Sequence, residues 1–123
     1  MALALYDELG ESFFIELVDA FYEHVVLDPI LRPMYPEDLS ESRRHLQLFL
    51  IQYWGGPTTY SDERGHPRLR LRHVPFTIDD EAREAWLGAM RAAMATLADS
   101  LSPEQARELE DYFVMAARTL RNT

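Results

Sequence analysis

The sequence predicts an all-α protein with a single domain over residues 1–123. Apolar residues recur at steps of three and four in four separate segments, which is the spacing of one face of an α-helix. No segment shows the alternation of apolar and polar residues that is typical of a half-buried strand. A chain of 123 residues with 47% hydrophobic content is long enough to bury one sizeable core.

The first two long helices are predicted from their apolar faces and from the residues that end them. The first ends before Asp28 and Pro29, which are typical of the start of a further short helix. The second follows Ser40 or Ser42 as its N-cap and is stopped by the Gly-Gly-Pro sequence at 55–57. The apolar face of the first helix holds Phe14, Leu17, Val18, Phe21, Tyr22 and Val25. That of the second holds Leu46, Phe49, Leu50 and Tyr53.

Two more helices are predicted in the C-terminal half. The third has Thr77 as its N-cap and Asp80 at the capping-box position, and we expect it to be the longest. The fourth starts at Ser102 and Pro103, with Gln105 completing a capping box. The apolar face of the third holds Ala82, Ala85, Trp86, Ala89, Met90, Ala93, Met94 and Leu97. That of the fourth holds Ala106, Leu109, Phe113, Ala116, Ala117 and Leu120.

Charge and composition exclude several classes of partner. With 21 acidic residues against 12 basic ones, the chain is unsuited to binding nucleic acid or an anionic membrane surface. The absence of cysteine excludes disulfides and thiolate metal sites. There is no signal-peptide pattern, and no stretch approaches the roughly 18 apolar residues of a membrane span. We therefore expect a soluble, cytoplasmic protein.

The stretch from residue 55 to residue 76 has little regular pattern, and it is longer than the roughly 12 to 15 residues of most loops without a function. It contains His66 and His73, and four arginines against two acidic residues. In an acidic protein, such an arginine cluster is suited to binding an anion such as a phosphate or a carboxylate. The alternative is a solvated loop whose arginines pair with acids on neighbouring helices.

Other site chemistries find little support. Glu41 and His45 are four residues apart on one helix face, but no second pair completes a tetrahedral zinc site. The chain has no cysteine nucleophile, no Gly-x-Ser-x-Gly sequence and no glycine loop that opens a helix for a phosphate. A lone histidine such as His73 is more often a hydrogen-bonded loop residue than a ligand.

Large aromatic side chains with polar atoms occupy positions that we expect to be buried. Tyr22, Tyr53 and Trp86 lie on apolar helix faces, and Tyr35 lies in the loop after the short helix. Their O–H and N–H groups need partners inside the protein, although backbone carbonyls or the surface could provide them. Four helices around one core also leave room for a planar apolar ligand.

Several motifs together resemble those of the bacterial group II truncated haemoglobins. They are Tyr-Trp-Gly-Gly-Pro at 53–57, Arg-Gly-His-Pro-Arg-Leu-Arg at 64–70, Arg-His at 72–73 with Pro-Phe at 75–76, and Ala-Trp-Leu at 85–87. Phe-Tyr at 21–22 and Tyr-Pro-Glu-Asp at 35–38 extend the resemblance. It covers essentially the whole chain, and the motifs in this order are highly specific.

The resemblance implies a truncated globin fold, a two-over-two helical sandwich around haem b. His73 matches the proximal histidine that holds the iron. Tyr22, Tyr35 and Trp86 match the family's distal polar cluster. Ser42 matches the position where larger globins often carry a distal histidine, so the hydrogen bonds to a bound ligand are expected from the tyrosines and the tryptophan.

The resemblance also assigns further contacts to haem. Those expected on the distal side are Leu46, Phe49 and Leu50, and those expected at the propionates are Tyr60, His66, Arg72, Arg44 and His45. Phe76 and Met90 complete the expected haem contacts. One departure concerns Gly10, a single glycine where the family often has a pair between its first short helix and the next, which leaves the path of the first helix open.

The function implied is reversible binding of dioxygen, nitric oxide or carbon monoxide, with slow release of dioxygen because donors in a dry pocket stabilise its negative outer oxygen. Nitric oxide dioxygenation and peroxidase chemistry are further activities associated with the family. Dioxygenase turnover would need a separate reductase, because 123 residues leave no room for a flavin domain. The alternative is a gas or redox sensor that acts through a protein partner. Homodimers also occur in the family.

Overall fold

A computed structural model describes residues 5–65 and 78–121, and every regular element in these ranges is helical. The α-helices are α1 (Leu5–Leu27), α2 (Ser40–Tyr53), α3 (Thr59–Arg64), α4 (Asp80–Thr96) and α5 (Pro103–Leu120). Two short 3-10 helices cover Arg32–Met34 and Ala98–Ser100. The predicted all-α class is confirmed for this part of the chain. None of its helices is long and apolar enough to span a bilayer.

The long helices form two pairs. Helix α1 packs against α2, α4 packs against α5, and contacts between α1 and α4 join the two pairs. The predicted apolar face of α1 is confirmed, because Phe14, Leu17, Val18 and Phe21 are completely buried between its neighbours. This is the two-over-two arrangement that the sequence led us to expect.

A kink at Gly10 divides α1. The backbone of Gly10 has φ 82° and ψ 166°, a region that is essentially restricted to glycine because a Cβ atom would be strained there. A single glycine is therefore sufficient to redirect the chain between the first turn of α1 and its long buried part. Helix α5 has 18 residues and α4 has 17, so the expectation that the third predicted helix, α4, would be the longest was wrong.

Two predicted helix caps were wrong because a neighbouring aspartate provides the cap. At α2 the N-cap is Leu39, which makes no side-chain hydrogen bond, and Asp38 Oδ1 accepts from the Ser40 amide at 2.9 Å. At α4 the N-cap is Asp79, whose Oδ1 accepts from the Ala82 amide at 2.9 Å, whereas Thr77 lies outside the described residues. A carboxylate next to a helix N-terminus is also favoured by the helix dipole.

The other predicted ends of the long helices are confirmed. The capping box of α5 is formed, with Ser102 Oγ accepting from the Gln105 amide at 3.1 Å and Gln105 Oε1 accepting from the Ser102 amide at 2.9 Å. Helix α1 ends at Leu27, before Asp28 as predicted, but the short helix begins later than predicted, with Leu31 as its N-cap. Asp28 Oδ1 instead accepts from the amides of residues 30 and 31 in the turn before that helix. Helix α2 ends before Gly55, which has φ 100°.

Candidate functional site

A cavity of about 360 Å³ lies between the two helix pairs. This volume is in the range of about 300–1,000 Å³ that is typical of sites for small molecules and cofactors. Its walls come from α1, α2, α3, α4, α5 and the turn after α1. The residues predicted for the site that line it are Tyr22, Tyr35, Ser42, His45, Leu46, Phe49, Leu50, Tyr60 and Trp86.

Tyr22, Tyr35 and Trp86 are brought together around this cavity. The ring of Tyr22 meets that of Tyr35 edge-on, with 5.7 Å between centroids. Phe21 lies behind them in the core. Its ring centroid is 5.2 Å from that of Tyr22 and 5.8 Å from that of Trp86. These edge-to-face contacts hold the three aromatic groups in fixed orientations.

The two phenols are held in the protonated form. Burial raises the pKa of Tyr22 far above its ordinary value, and the neighbouring Tyr35 raises it further. The guanidinium of Arg43 and a hydrogen bond with the Ser42 side chain act in the opposite direction and do not offset the effect of burial. Burial raises the pKa of Tyr35 to about 12. Both side chains therefore carry an O–H group at neutral pH.

Arg64 and His45 form a hydrogen-bonded polar pair in the cavity wall. Arg64 Nη1 is 3.1 Å from His45 Nε2, and the Arg64 guanidinium lies 5.9 Å from the centre of the Tyr60 ring. Burial lowers the pKa of His45, and the charge of Arg64 lowers it further, so the imidazole is neutral and accepts the hydrogen bond at Nε2. Arg64 lines the cavity although it was not predicted as a contact. Its place in the arginine-rich stretch was the available signal.

Helix α3 is fixed to α2 by side-chain pairs. Arg44 makes two hydrogen bonds to the Glu63 carboxylate, the longer at 2.7 Å. Gln52 donates to Ser61 Oγ at 2.8 Å and accepts from the Ser61 amide at 2.9 Å. These hydrogen bonds hold α3 against α2, with Tyr60 of α3 in the cavity wall.

Three expectations about individual residues need correction. Arg44 does not line the cavity, because its charge is paired with Glu63. Met90 is completely buried in the apolar core and does not line the cavity either, because core side chains surround it. Tyr53 was expected to be buried but is 43% exposed, because it is the last residue of α2.

Several residues of α4 and α5 line the cavity without having been predicted as haem contacts, among them Arg83, Tyr112 and Phe113. Four predicted contacts lie outside the described residues: His66, Arg72, His73 and Phe76. Their roles remain predictions from the sequence.

Comparison with known proteins gives the family. A sequence profile of the bacterial-like globin family matches residues 4–119. The chain belongs to this family. As a globin of this kind, it has a fold in which haem is the cofactor and small gases are the ligands.

The relatives place this globin among the truncated haemoglobins of group II. It is 50% identical over 91 residues to the group 2 truncated haemoglobin YjbI of Bacillus subtilis. The aligned region covers 74% of this chain and 69% of that protein. The structure of a thermostable haemoglobin from Thermobifida fusca superposes with a TM-score of 0.89 at 51% identity, over 93% of this chain and 92% of that one. The structure of a truncated oxygen-avid haemoglobin from Bacillus subtilis superposes with a TM-score of 0.89 at 43% identity, over 95% of this chain and 98% of that one. The predicted resemblance is confirmed.

The residues of this globin that line the cavity fit a haem. Leu46, Phe49 and Phe113 give it apolar walls suited to a porphyrin ring. Arg83 also lines it. Its Nη2 donates to Glu84 at 2.9 Å, but its buried Nε–H has no hydrogen-bond partner among the described residues. An unsatisfied buried guanidinium donor is costly unless an acceptor such as a carboxylate reaches it, and haem carries two carboxylates.

Proposed function

We propose that this chain holds haem b in the cavity, with His73 as the iron ligand, and that Tyr22, Tyr35 and Trp86 hold dioxygen tightly. When bound, haem supplies a ferrous iron that binds diatomic gases and shifts electron density onto dioxygen. The protein contributes the pocket, the hydrogen-bond donors and the exclusion of water.

The observation that carries this proposal is the group of three donors in an apolar cavity. The phenols of Tyr22 and Tyr35 are protonated at neutral pH, and burial raises the pKa of both still further, so each offers an O–H group and no negative charge. The indole of Trp86, which also lines the cavity, offers an N–H group as the third donor. Three neutral donors stabilise a ligand whose outer atom gains negative charge, and they cost little reorganisation because ring packing already orients them.

The surroundings of Tyr22 support the same role. Its side chain is 3% exposed, and the Ser42 side chain lies near enough to lower the pKa of the phenol. A hydroxyl can accept and donate at the same time, so Ser42 can orient the Tyr22 phenol without occupying it fully. In this arrangement Ser42 positions the donor and Tyr22 contacts the ligand.

A relative supports strong binding of dioxygen. The Bacillus subtilis structure that matches 95% of this chain is described as that of an oxygen-avid haemoglobin. We extend that property to this chain because its cavity contains the donors that tight binding requires.

The first test is an absorption spectrum of the purified protein, as isolated, reduced with dithionite, and then exposed to air. We expect a Soret band that shifts on reduction and a persistent oxy complex. His73→Ala should lose stable haem binding, and added imidazole should restore it by replacing the missing ligand. His24→Ala, on the part of α1 away from the cavity, is the matched control and should keep its haem. A His73→Ala protein that retains haem as the wild type does would contradict the proposal.

A further inference from the structure

A short aromatic path connects the cavity with the surface of the protein. Tyr112, on α5, lines the cavity and is 8% exposed. Its ring lies against that of Tyr53, with 4.3 Å between centroids and 36° between the ring planes. Tyr53 is 43% exposed, so two tyrosine rings in direct contact span the wall of the cavity.

Tyr53 differs from every other tyrosine of the chain in its exposure. All six tyrosines lie in the described ranges, and the other five are buried or half-buried. A phenol at the surface can release its proton to water when it loses an electron, whereas a buried phenol cannot do so without a base nearby. When the aromatic groups around the cavity are oxidised, we therefore expect the stable tyrosyl radical to form at Tyr53.

We propose that Tyr53 is the surface site of one-electron oxidation of this protein by hydrogen peroxide, reached from the cavity through Tyr112. The inference rests on the proposed function, since haem in this cavity provides the peroxide-reducing chemistry. An electron passes from Tyr53 to Tyr112 and ends on peroxide, while the phenolic proton of Tyr53 leaves to water.

The reaction balances over two protein molecules. Each gives one electron and one proton, and hydrogen peroxide takes two of each to become two molecules of water. The two tyrosyl radicals then combine through a carbon–carbon bond between their rings, and the product is a dityrosine that links two chains. No reactant other than peroxide is required.

The neighbours of Tyr53 do not compete as end points of the oxidation. Tyr112 is only 8% exposed, so its phenolic proton has no open path to bulk water and its ring serves as the relay for the electron. The ring of Trp54 packs against both tyrosine rings, with 5.0 Å between its centroid and that of Tyr53 and 5.6 Å between its centroid and that of Tyr112. Its indole is 2% exposed, and Nε1 has no acceptor among the described residues, so its proton has no exit there.

The test uses the ferric haem-loaded protein, treated with hydrogen peroxide with and without a nitroso spin trap. Mass spectrometry of the digested protein locates the trapped radical, and dityrosine fluorescence reports the linked chains. We expect the adduct on Tyr53 and loss of the linked dimer in Tyr53→Phe. Tyr112→Phe keeps the surface phenol but removes the relay, and should lose the adduct at Tyr53. Tyr6→Phe, a substitution of the same kind outside the cavity wall, should react as the wild type does.

Tyr53→Phe should also bind haem and dioxygen as the wild type does, because Tyr53 does not line the cavity. This separates the two proposals. If the wild type binds haem and consumes peroxide but the adduct lies on another residue, or if Tyr112→Phe leaves the Tyr53 adduct unchanged, the aromatic path is refuted and the proposed gas binding is not. If the protein takes up no haem and peroxide produces no adduct, both fail.

Discussion

Replacing Tyr22 by phenylalanine tests the proposed distal site most directly. The change removes one O–H group and keeps the ring, so the contacts with Phe21 at 5.2 Å and Tyr35 at 5.7 Å are preserved. A side chain that is 3% exposed would leave a cavity if it were truncated further, and phenylalanine avoids that effect. Any change in ligand binding then reports the lost hydrogen-bond donor.

The size of the effect follows from the environment of the donor. A hydrogen bond to a charged group is worth about 1.5–3 kcal/mol, and here the acceptor is the negative outer atom of bound dioxygen. With a factor of ten for each 1.4 kcal/mol, the dissociation rate of dioxygen should rise about tenfold to a hundredfold. Because Tyr35 and Trp86 remain, the lower part of this range is expected for the single substitution.

Stopped-flow displacement of dioxygen by excess carbon monoxide measures this rate. Tyr6→Phe removes the same O–H group outside the cavity wall and should leave the rate unchanged. Trp86→Phe should raise it in the same direction as Tyr22→Phe. If the dissociation rates of both cavity variants equal that of the wild type, the roles assigned to these residues are refuted.

The remaining predictions concern the scaffold and are measured by chemical denaturation. Gly10→Ala should lower the free energy of unfolding by about 1–3 kcal/mol, because a Cβ at φ 82° is strained although no neighbouring atom obstructs it; an unchanged midpoint would mean that the kink is absent. Asp79→Ala should cost about 1 kcal/mol through loss of the α4 cap, whereas Ser40→Ala, which provides no side-chain cap, should cost less than about 0.5 kcal/mol; equal losses would count against the assigned caps. The hydrogen bond from Arg44 holds the pKa of Glu63 below its ordinary value of 4.5, so this pair stabilises the fold above that pH and stops doing so as the pH falls through the folded pKa. The difference in stability between wild type and Glu63→Gln at low salt should therefore shrink in acid, and a difference that grows there would contradict the pairing.

The helices of this protein are predictable because their signals are local. The buried face of α1 follows from apolar residues spaced three and four apart, and the capping box of α5 from Ser102 and Gln105 within one turn. The caps of α2 and α4 were misplaced by one to three positions, because adjacent residues compete for the same free amides. Asp38 and Asp79 accept the hydrogen bonds from these amides, because a negatively charged carboxylate is favoured at a helix N-terminus.

The presence of two tyrosines and a tryptophan at the cavity was also predictable from the sequence. Tyr22, Tyr35 and Trp86 are the types of residue that a polar cluster in an apolar pocket needs, and the family motifs placed them together. Their common wall, and the raised pKa of both phenols, required the packing of Phe21 behind them and the burial that it causes.

The sequence alone determined the helical class and most helix ends, because each depends on neighbours within a few positions along the chain, and the family motifs indicated which residues face the cavity. The tertiary structure decided which of two arginines reaches the cavity: Arg44 is paired with Glu63, whereas Arg64 lies beside His45 in the cavity wall. It also decided that Tyr53 reaches solvent while Tyr112 lines the cavity. These outcomes depend on how α2, α3 and α5 pack, and residues 19 or more positions apart meet there only after folding.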